Sequence, residues 1–276
     1  MNIAEDFLEI VEAISKLVQL PVVKEIYVAG EHGQSGKSSK FGAMVLEDGT
    51  VGLTFVDLDG AREELLPCIE SKKYVGASPA KLAALYAGDR AGQRALGMAA
   101  VTAVSQFVLR RSGCLLADSD NTMDLLLPEP QDHIGMVGYF PPLVDHIREK
   151  NIDLTVIELD QQWVQQESGF TVTLDSSRLQ ACNKVLCTGT VLINNTLDRI
   201  LEQAENAEQT YLVGPTLGCL PDPLFARGVT AIGGRQIVDC EYFIELWSAG
   251  ETWRSASRRY AMHSGSYHGY KTLLDH

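Results

Sequence analysis

A chain of 276 residues has room for one large or two ordinary domains with real cores. Hydrophobic residues at 45% and charged residues at 21% are ordinary globular values. The formal charge of -13 argues against a nucleic-acid groove, which needs a basic face, and suits an acidic solvated surface or a cationic or metal-bearing ligand.

In chain order, Met1-Asn-Ile-Ala-Glu5-Asp6 is acidic and polar-spaced, unlike a signal peptide. Ile3, Phe7, Ile10, Val11, Ile14, Leu17 and Val18 recur at helical spacing and predict an opening helix that stops before Pro21. Val22 to Ala29 reads as a strand. Phe41 to Leu46 and Val51 to Val56 flank Asp48-Gly49, a hairpin signal. Ser78-Pro79 opens a helix, and a longer one runs from about Arg90 to Arg111, ending at Gly113. The latter is rich in alanine and glycine, so its neighbours can pack close.

Leu127-Pro128-Glu-Pro130 reads as a linker, after which strands alternate with helices. Strands are expected at Ile134 to Gly138, Leu154 to Glu158, Val185 to Cys187, Tyr211 to Gly214 and Val229 to Ile232. Helices are expected after Pro141-Pro142, near Ser176 to Cys182 and from about Asn195 to Ala204. Strands separated in this way build a parallel, doubly wound sheet. For Glu251 to His276, rich in Arg, Tyr, Ser and His, two readings stay open: order on a neighbouring surface, or mobility. No stretch approaches the ~20 apolar residues of a membrane span. Six cysteines without a C-x-x-C pair read as reduced thiols, so the expected compartment is the cytoplasm.

Two motifs fail on inspection. Gly30-Glu-His-Gly33-Gln-Ser-Gly36-Lys37-Ser38 imitates a phosphate loop, but Glu31 stands where the first glycine is needed and a hairpin follows instead of a helix. Gly135 and Gly138 do not supply the three glycines of a dinucleotide turn. Better candidates are Thr188-Gly189-Thr190 with Asn194-Asn195-Thr196, and Gly214-Pro215-Thr216. Small polar residues after a buried strand either cap the next helix or hold a polar ligand. Glu158 and Asp160, past the second strand, suit a ribose or a metal, or form a solvated strand end. Cys187 and Cys219 are candidate soft ligands or core thiols.

At Gly138-Tyr-Phe-Pro-Pro142, Thr188-Gly-Thr190, Leu192-Ile-Asn194-Asn195-Thr196, Leu212-Val-Gly-Pro-Thr216, Gly228-Val229, Gly233-Gly234 and Asp239, the chain resembles the heavy-metal chelation domain family. In that uncharacterised family an enolase amino-terminal-like domain precedes a Rossmann-like domain. The resemblance covers roughly residues 5 to 250. It implies a site at the domain junction, metal chelation or handling of a metal-bearing cofactor, and a link by association to anaerobic cobalamin-type metabolism. The matching loop positions are Tyr139, Thr188, Gly189, Thr190, Asn194, Asn195, Gly214, Pro215 and Thr216, with Asp239 beyond them.

The expected fold is α/β: a small α+β enolase N-terminal-like domain over 1–128, a Rossmann-like doubly wound parallel sheet over 129–250, and a tail over 251–276. The leading expectation is a protein that binds a metal ion or metal chelate between its domains. Thr188, Thr190 and Asn195 would orient the ligand. Glu158, Asp160 or Asp239 would supply charge and Cys187 or Cys219 soft coordination, with a transition or heavy metal as cofactor. A second expectation is an enzyme acting on a nucleotide-like or other anionic small molecule, held by the helix starts after Gly138, Gly189 and Gly214. A third is an assembly module using the helix at 90–111 as a packing face. The expected partners are a small molecule or metal, neither nucleic acid nor membrane, with a homodimer as the commonest assembly.

Overall fold

The computed structural model describes residues 2–28, 40–114, 116–118 and 123–275, so the phosphate-loop imitation at Gly30 to Ser38 lies outside the described residues. Helix α1 (Ile3–Leu17) starts on a capping box in which Asn2 and Glu5 exchange side-chain and backbone hydrogen bonds. It buries Phe7, Val11 and Ile14, the stripe read from its sequence. Strands β1 (Val23–Val28), β2 (Phe41–Leu46) and β3 (Val51–Phe55) form an antiparallel three-stranded sheet. Asp48 accepts hydrogen bonds from the Thr50 amide and hydroxyl across the β2–β3 turn. Helices α2 (Ala61–Glu70), α3 (Pro79–Ala83) and α4 (Ala91–Arg111) follow.

Helix α4 is nearly all buried and packs on β3. Its small-residue face is therefore filled within the chain. Gln106 on α4 reaches across to the second sheet, donating to the Gly218 carbonyl at 2.8 Å and to Tyr260 Oη at 3.1 Å. One continuous apolar cluster joins α1, α4, the small sheet and one face of the large sheet.

Among the described residues the large sheet has nine strands: β4 (Ala117–Asp118), β5 (His133–Val137), β6 (Asp153–Ile157), β7 (Gln165–Glu167), β8 (Phe170–Thr173), β9 (Lys184–Thr188), β10 (Gln209–Val213), β11 (Ala231–Ile237) and β12 (Ser257–His263). A four-residue helix α5 (Met123–Leu126) precedes β5. Helices α6 (Pro141–Glu149), α7 (Leu197–Gln203), α8 (Asp222–Phe225), α9 (Cys240–Ser248) and α10 (Tyr270–Leu274) connect or flank the later strands. The spatial order is β4-β12-β11-β10-β9-β5-β6-β8-β7. Its parallel core, taken in chain order, reads 3-2-1-4-5-6, the order of a doubly wound dinucleotide fold. Apolar runs in β5, β9 and β10 are buried on both faces, as central parallel strands must be.

Several details differ from the sequence reading. The segment at Ser176 to Cys182 is a 3-10 turn over Ser176–Ala181, with Asp175 capping Ser177. The β7–β8 hairpin went unread because Gln165–Glu167 is exposed and carries no apolar alternation. Residues 257–263, whose periodicity is weak, pair antiparallel with β11. No helix among the described residues is long and apolar enough to cross a membrane.

Candidate functional site

Between β5 and β9 the strand order reverses, and a crevice opens at the carboxyl ends of the strands. The chain leaves β5 through Gly138 to Phe140, β9 through Thr188 to Thr190 and β10 through Gly214-Pro215. Gly214 sits at φ 136°, a conformation that favours glycine. Its N–H is held by the Gly233 carbonyl at 2.9 Å.

These three exits line one cavity of about 510 Å³, within the usual range for small-molecule sites. Lys40, just before β2, and Phe41 and Phe55 of the small sheet line the same cavity. Gly233 to Arg235 of β11 and Trp253, Arg254, Arg259 and Tyr260 complete it. Phe41 meets Phe55 and Trp253 edge-on, with ring centroids 5.5 and 6.0 Å apart. A smaller hollow of about 220 Å³ is lined only by residues of β1, α2 and the turn after it.

Thr188 Oγ1 accepts the Thr190 N–H at 3.3 Å and lies 3.0 Å from Thr190 Oγ1, which turns the chain into the 3-10 turn Gly189–Leu192. The first half of the chain grips that turn from behind. Tyr86 Oη donates to the Leu192 carbonyl at 2.8 Å, and Arg94 Nε to the Ile193 carbonyl at 3.0 Å. At the opposite ends of β5 and β9, Lys184 pairs with Asp132 at 2.9 Å, and Asn183 donates to Asp132 at 2.8 Å.

Of the loop residues predicted, Tyr139, Thr188, Thr190, Gly214 and Pro215 are cavity-lining. Gly189 and Thr216 are buried behind it. Asn194 accepts from the Thr196 hydroxyl at 2.6 Å and from its amide at 3.2 Å, so it shapes the turn before α7. Asn195 is exposed with φ 55°. These two asparagines stand outside the lining.

The predicted charged and thiol residues are dispersed. Glu158 accepts the Tyr139 N–H at 2.9 Å and its neighbour Leu159 N–H at 2.7 Å. Asp160 caps the turn at Gln162, and Asp239 caps α9 through the Tyr242 N–H at 2.9 Å. Cys187 and Cys219 are fully buried, and burial pushes both thiols up to about 12. Among the described residues no three His, Cys, Asp or Glu side chains form a group able to hold a metal ion.

The reading of the sequence missed Arg235, Arg254, Arg259 and the aromatic wall of Phe41, Phe55 and Trp253. A signal was present in Gly233-Gly234-Arg235 and in the arginines of residues 254–259, which stand out in so acidic a chain. Arg235 donates to Ser257 Oγ at 2.6 Å and lies 5.9 Å from the Trp253 ring centroid. Burial first, then Arg259 and Arg254, pull its guanidinium down to about 10. Trp253 is 2% exposed, and its indole N–H has no acceptor among the described residues.

Fold and cavity together define a two-sheet α/β protein with a cavity at the switch point of a Rossmann-order sheet. The chain belongs to the DUF364 family, described as "Putative heavy-metal chelation", whose model matches residues 121–264, just over half the chain. An uncharacterized protein of Methanocaldococcus jannaschii is 29% identical over 175 residues, which is 62% of this chain and 66% of that relative. The aligned part thus falls just short of two thirds of the relative's length. A crystal structure of a DUF364-family protein with unknown function from Desulfitobacterium hafniense superposes with a TM-score of 0.69 at 21% identity, covering 94% of this chain and 98% of the other. A second, from Pyrococcus horikoshii, gives 0.65 at 18% identity over 93% and 99%. At these identities the likeness is one of fold.

Proposed function

We propose that this protein binds a metal in chelated form, held by an organic ligand, in the cavity that the strand exits of the large sheet share with side chains of the small sheet. One observation carries the reading. The exits of β5, β9 and β10 line a single cavity with side chains of the small sheet, and none of Glu158, Asp160, Cys187, Cys219 and Asp239 lines it. The three carboxylates already accept backbone N–H groups, and the two thiols are protonated at neutral pH. A chelate brings its own metal donors and asks the protein only for shape and hydrogen bonds. Thr188 and Thr190 offer hydroxyls for that purpose, and the family description agrees with it.

The test is a thermal-shift and calorimetric comparison on protein purified without an affinity tag. Each of a series of divalent metals is supplied once as the free ion and once as a complex with an aromatic polycarboxylate. The complex should raise the melting temperature while the free ion leaves it unchanged, and Thr188→Val with Thr190→Val should weaken binding about tenfold, a loss of ~1.4 kcal/mol. A response to the free ion equal to that of its complex contradicts the reading. So does a lack of response to every complex.

The nucleotide reading has the 3-2-1-4-5-6 strand order in its favour. Against it, Glu158 stands in the ribose-binding position but is engaged by the Tyr139 N–H. A panel of nucleotides and S-adenosylmethionine in the same screen separates the two.

A further inference from the structure

The chain carries a formal charge of -13, yet Lys40, Arg235, Arg254 and Arg259 line one cavity, and no aspartate or glutamate among the described residues lines it. Arg235 and Arg259 are register partners across the β11–β12 ladder, so both side chains leave the same face of the sheet. Like charges placed directly opposite destabilise a sheet. One position away, on the other face, Arg258 is matched: Gln236 Oε1 accepts from it at 2.8 Å, and Asp118 lies 3.6 Å away. Half-buried Arg235 is treated differently, since its partners, the Ser257 hydroxyl and the Trp253 ring, carry no counter-charge. Lys40 is held 3.4 Å from Asp57 and belongs to the rim. Packing alone gives no reason to set a guanidinium here, because an uncharged side chain of similar length would fill the space without the repulsion.

We propose that Arg235, flanked by Arg254 and Arg259, is an oxyanion subsite of the cavity that takes carboxylate or phosphate groups of a ligand whose flat apolar body lies against Phe41, Phe55 and Phe140. This inference rests on the chelate reading above and names the chemistry of the occupant as a polyanion. Guanidinium forks match both oxyanions in bidentate fashion. A cleft lined by one sign of charge, between apolar walls, concentrates ligands of the other sign.

The probes are trimesate (benzene-1,3,5-tricarboxylate), inorganic pyrophosphate and the neutral benzene-1,3,5-tricarboxamide, titrated by calorimetry and ligand-observed magnetic resonance. Wild-type protein should bind at least one anionic probe, with affinity falling severalfold between about 0.05 and about 0.3 M salt. Arg235→Gln should weaken that binding about tenfold. Arg235→Lys, which keeps the charge but loses the fork, should fall between. Unliganded Arg235→Gln protein should melt no lower than wild type, because it loses a like-charge neighbour. Preference for trimesate assigns the subsite to carboxylates, and preference for pyrophosphate to phosphates.

The proposal is overturned if neither anion binds at millimolar concentration, if Arg235→Gln binds as wild type does, or if the tricarboxamide binds as well as trimesate. A drop of several degrees in the melting temperature of Arg235→Gln would also overturn it, by giving the arginine a structural role. The two readings fail separately. A neutral metal complex that binds without regard to Arg235 removes the subsite and leaves the chelate cavity. Anion binding that needs Arg235, with no response to any metal complex, removes the chelate and leaves the subsite.

Discussion

Gly52 on β3 and Ala103 on α4 meet backbone to backbone: a β-carbon on Gly52 would lie 2.3 Å from the Ala103 nitrogen and 2.4 Å from the Ala99 carbonyl oxygen. Thr102 secures the contact by donating to the Leu53 carbonyl at 3.1 Å. The alanine- and glycine-rich run in α4 is thus spent on bringing the small sheet against the helix that also reaches the large one. Gly52→Ala should destabilise the fold by ~1–3 kcal/mol or more, since overpacking forces backbone shifts. Urea unfolding followed by circular dichroism reads this directly, and a change under ~0.5 kcal/mol would contradict it.

Tyr86 Oη and the Leu192 carbonyl form a buried bond across 106 residues of sequence. Tyr86→Phe leaves that carbonyl without its donor, and a buried acceptor stripped of its partner costs ~1–3 kcal/mol. The loosened segment is the turn that follows Thr188 to Thr190. Faster amide exchange at residues 189–193 than elsewhere in the variant is therefore expected. Uniform loosening would mean that the bond serves the core alone.

Asp132 and Lys184 are a buried pair at the amino ends of β5 and β9. Burial pushes the Asp132 carboxyl up. Hydrogen bonds from Lys184, the Glu129 N–H and Asn183, with the Lys184 charge, outweigh it and hold the carboxyl below its usual value. A carboxylate lowered on folding contributes stability that is complete above its unfolded value near ~4, and this is lost as pH falls through the lower folded value. Asp132→Asn should be less stable than wild type at neutral pH by up to ~3–5 kcal/mol, because Lys184 is left buried without its partner. The gap should narrow as pH drops from ~5 toward ~2. A gap that stays constant over that window would show that Asp132 does not titrate there.

Cys182, Cys187 and Cys219 are buried, with thiols pushed up to about 12 by burial, whereas Cys68, Cys114 and Cys240 are partly exposed. Only the thiolate reacts readily with a disulfide reagent. At pH ~8 the three buried thiols should stay silent in native protein and appear on unfolding, as followed by colorimetric titration with peptide mapping. Prompt labelling of Cys187 or Cys219 in native protein would reopen the case for soft metal coordination.

Much of the scaffold is legible in the sequence because its signals are local. The stripe from Ile3 to Ile14, the Asp48-Gly49 turn and the buried runs of β5, β9 and β10 each follow from the spacing of neighbouring residues. So do the loops at 138–140, 188–190 and 214–215 that line the cavity. What stays hidden is long-range. Nothing near Arg235 in sequence announces that Arg259 will stand opposite it, because that depends on the β11–β12 register. Phe41 and Trp253 read as separate apolar residues until the two sheets bring their rings together. Asn194 and Asp239 show the converse. Their residue types fit a ligand site, but each side chain is taken up by its own turn or helix start.

The pairing of β12 with β4 and β11 has a consequence in time. Tyr260 and Ala261 close on Asp118 and Ala117, so the sheet stays open along this side until residues 257–263 have been made. The same late segment delivers Trp253, Arg254 and Arg259. Contacts so distant in sequence form slowly, and a chain folds from its amino terminus as it emerges. A nascent chain lacking residues 253–260 has Lys40 and Arg235 but neither Arg254 and Arg259 nor the Trp253 ring. On the reading proposed above, the cavity can capture its ligand only after residues 253–260 have taken their places.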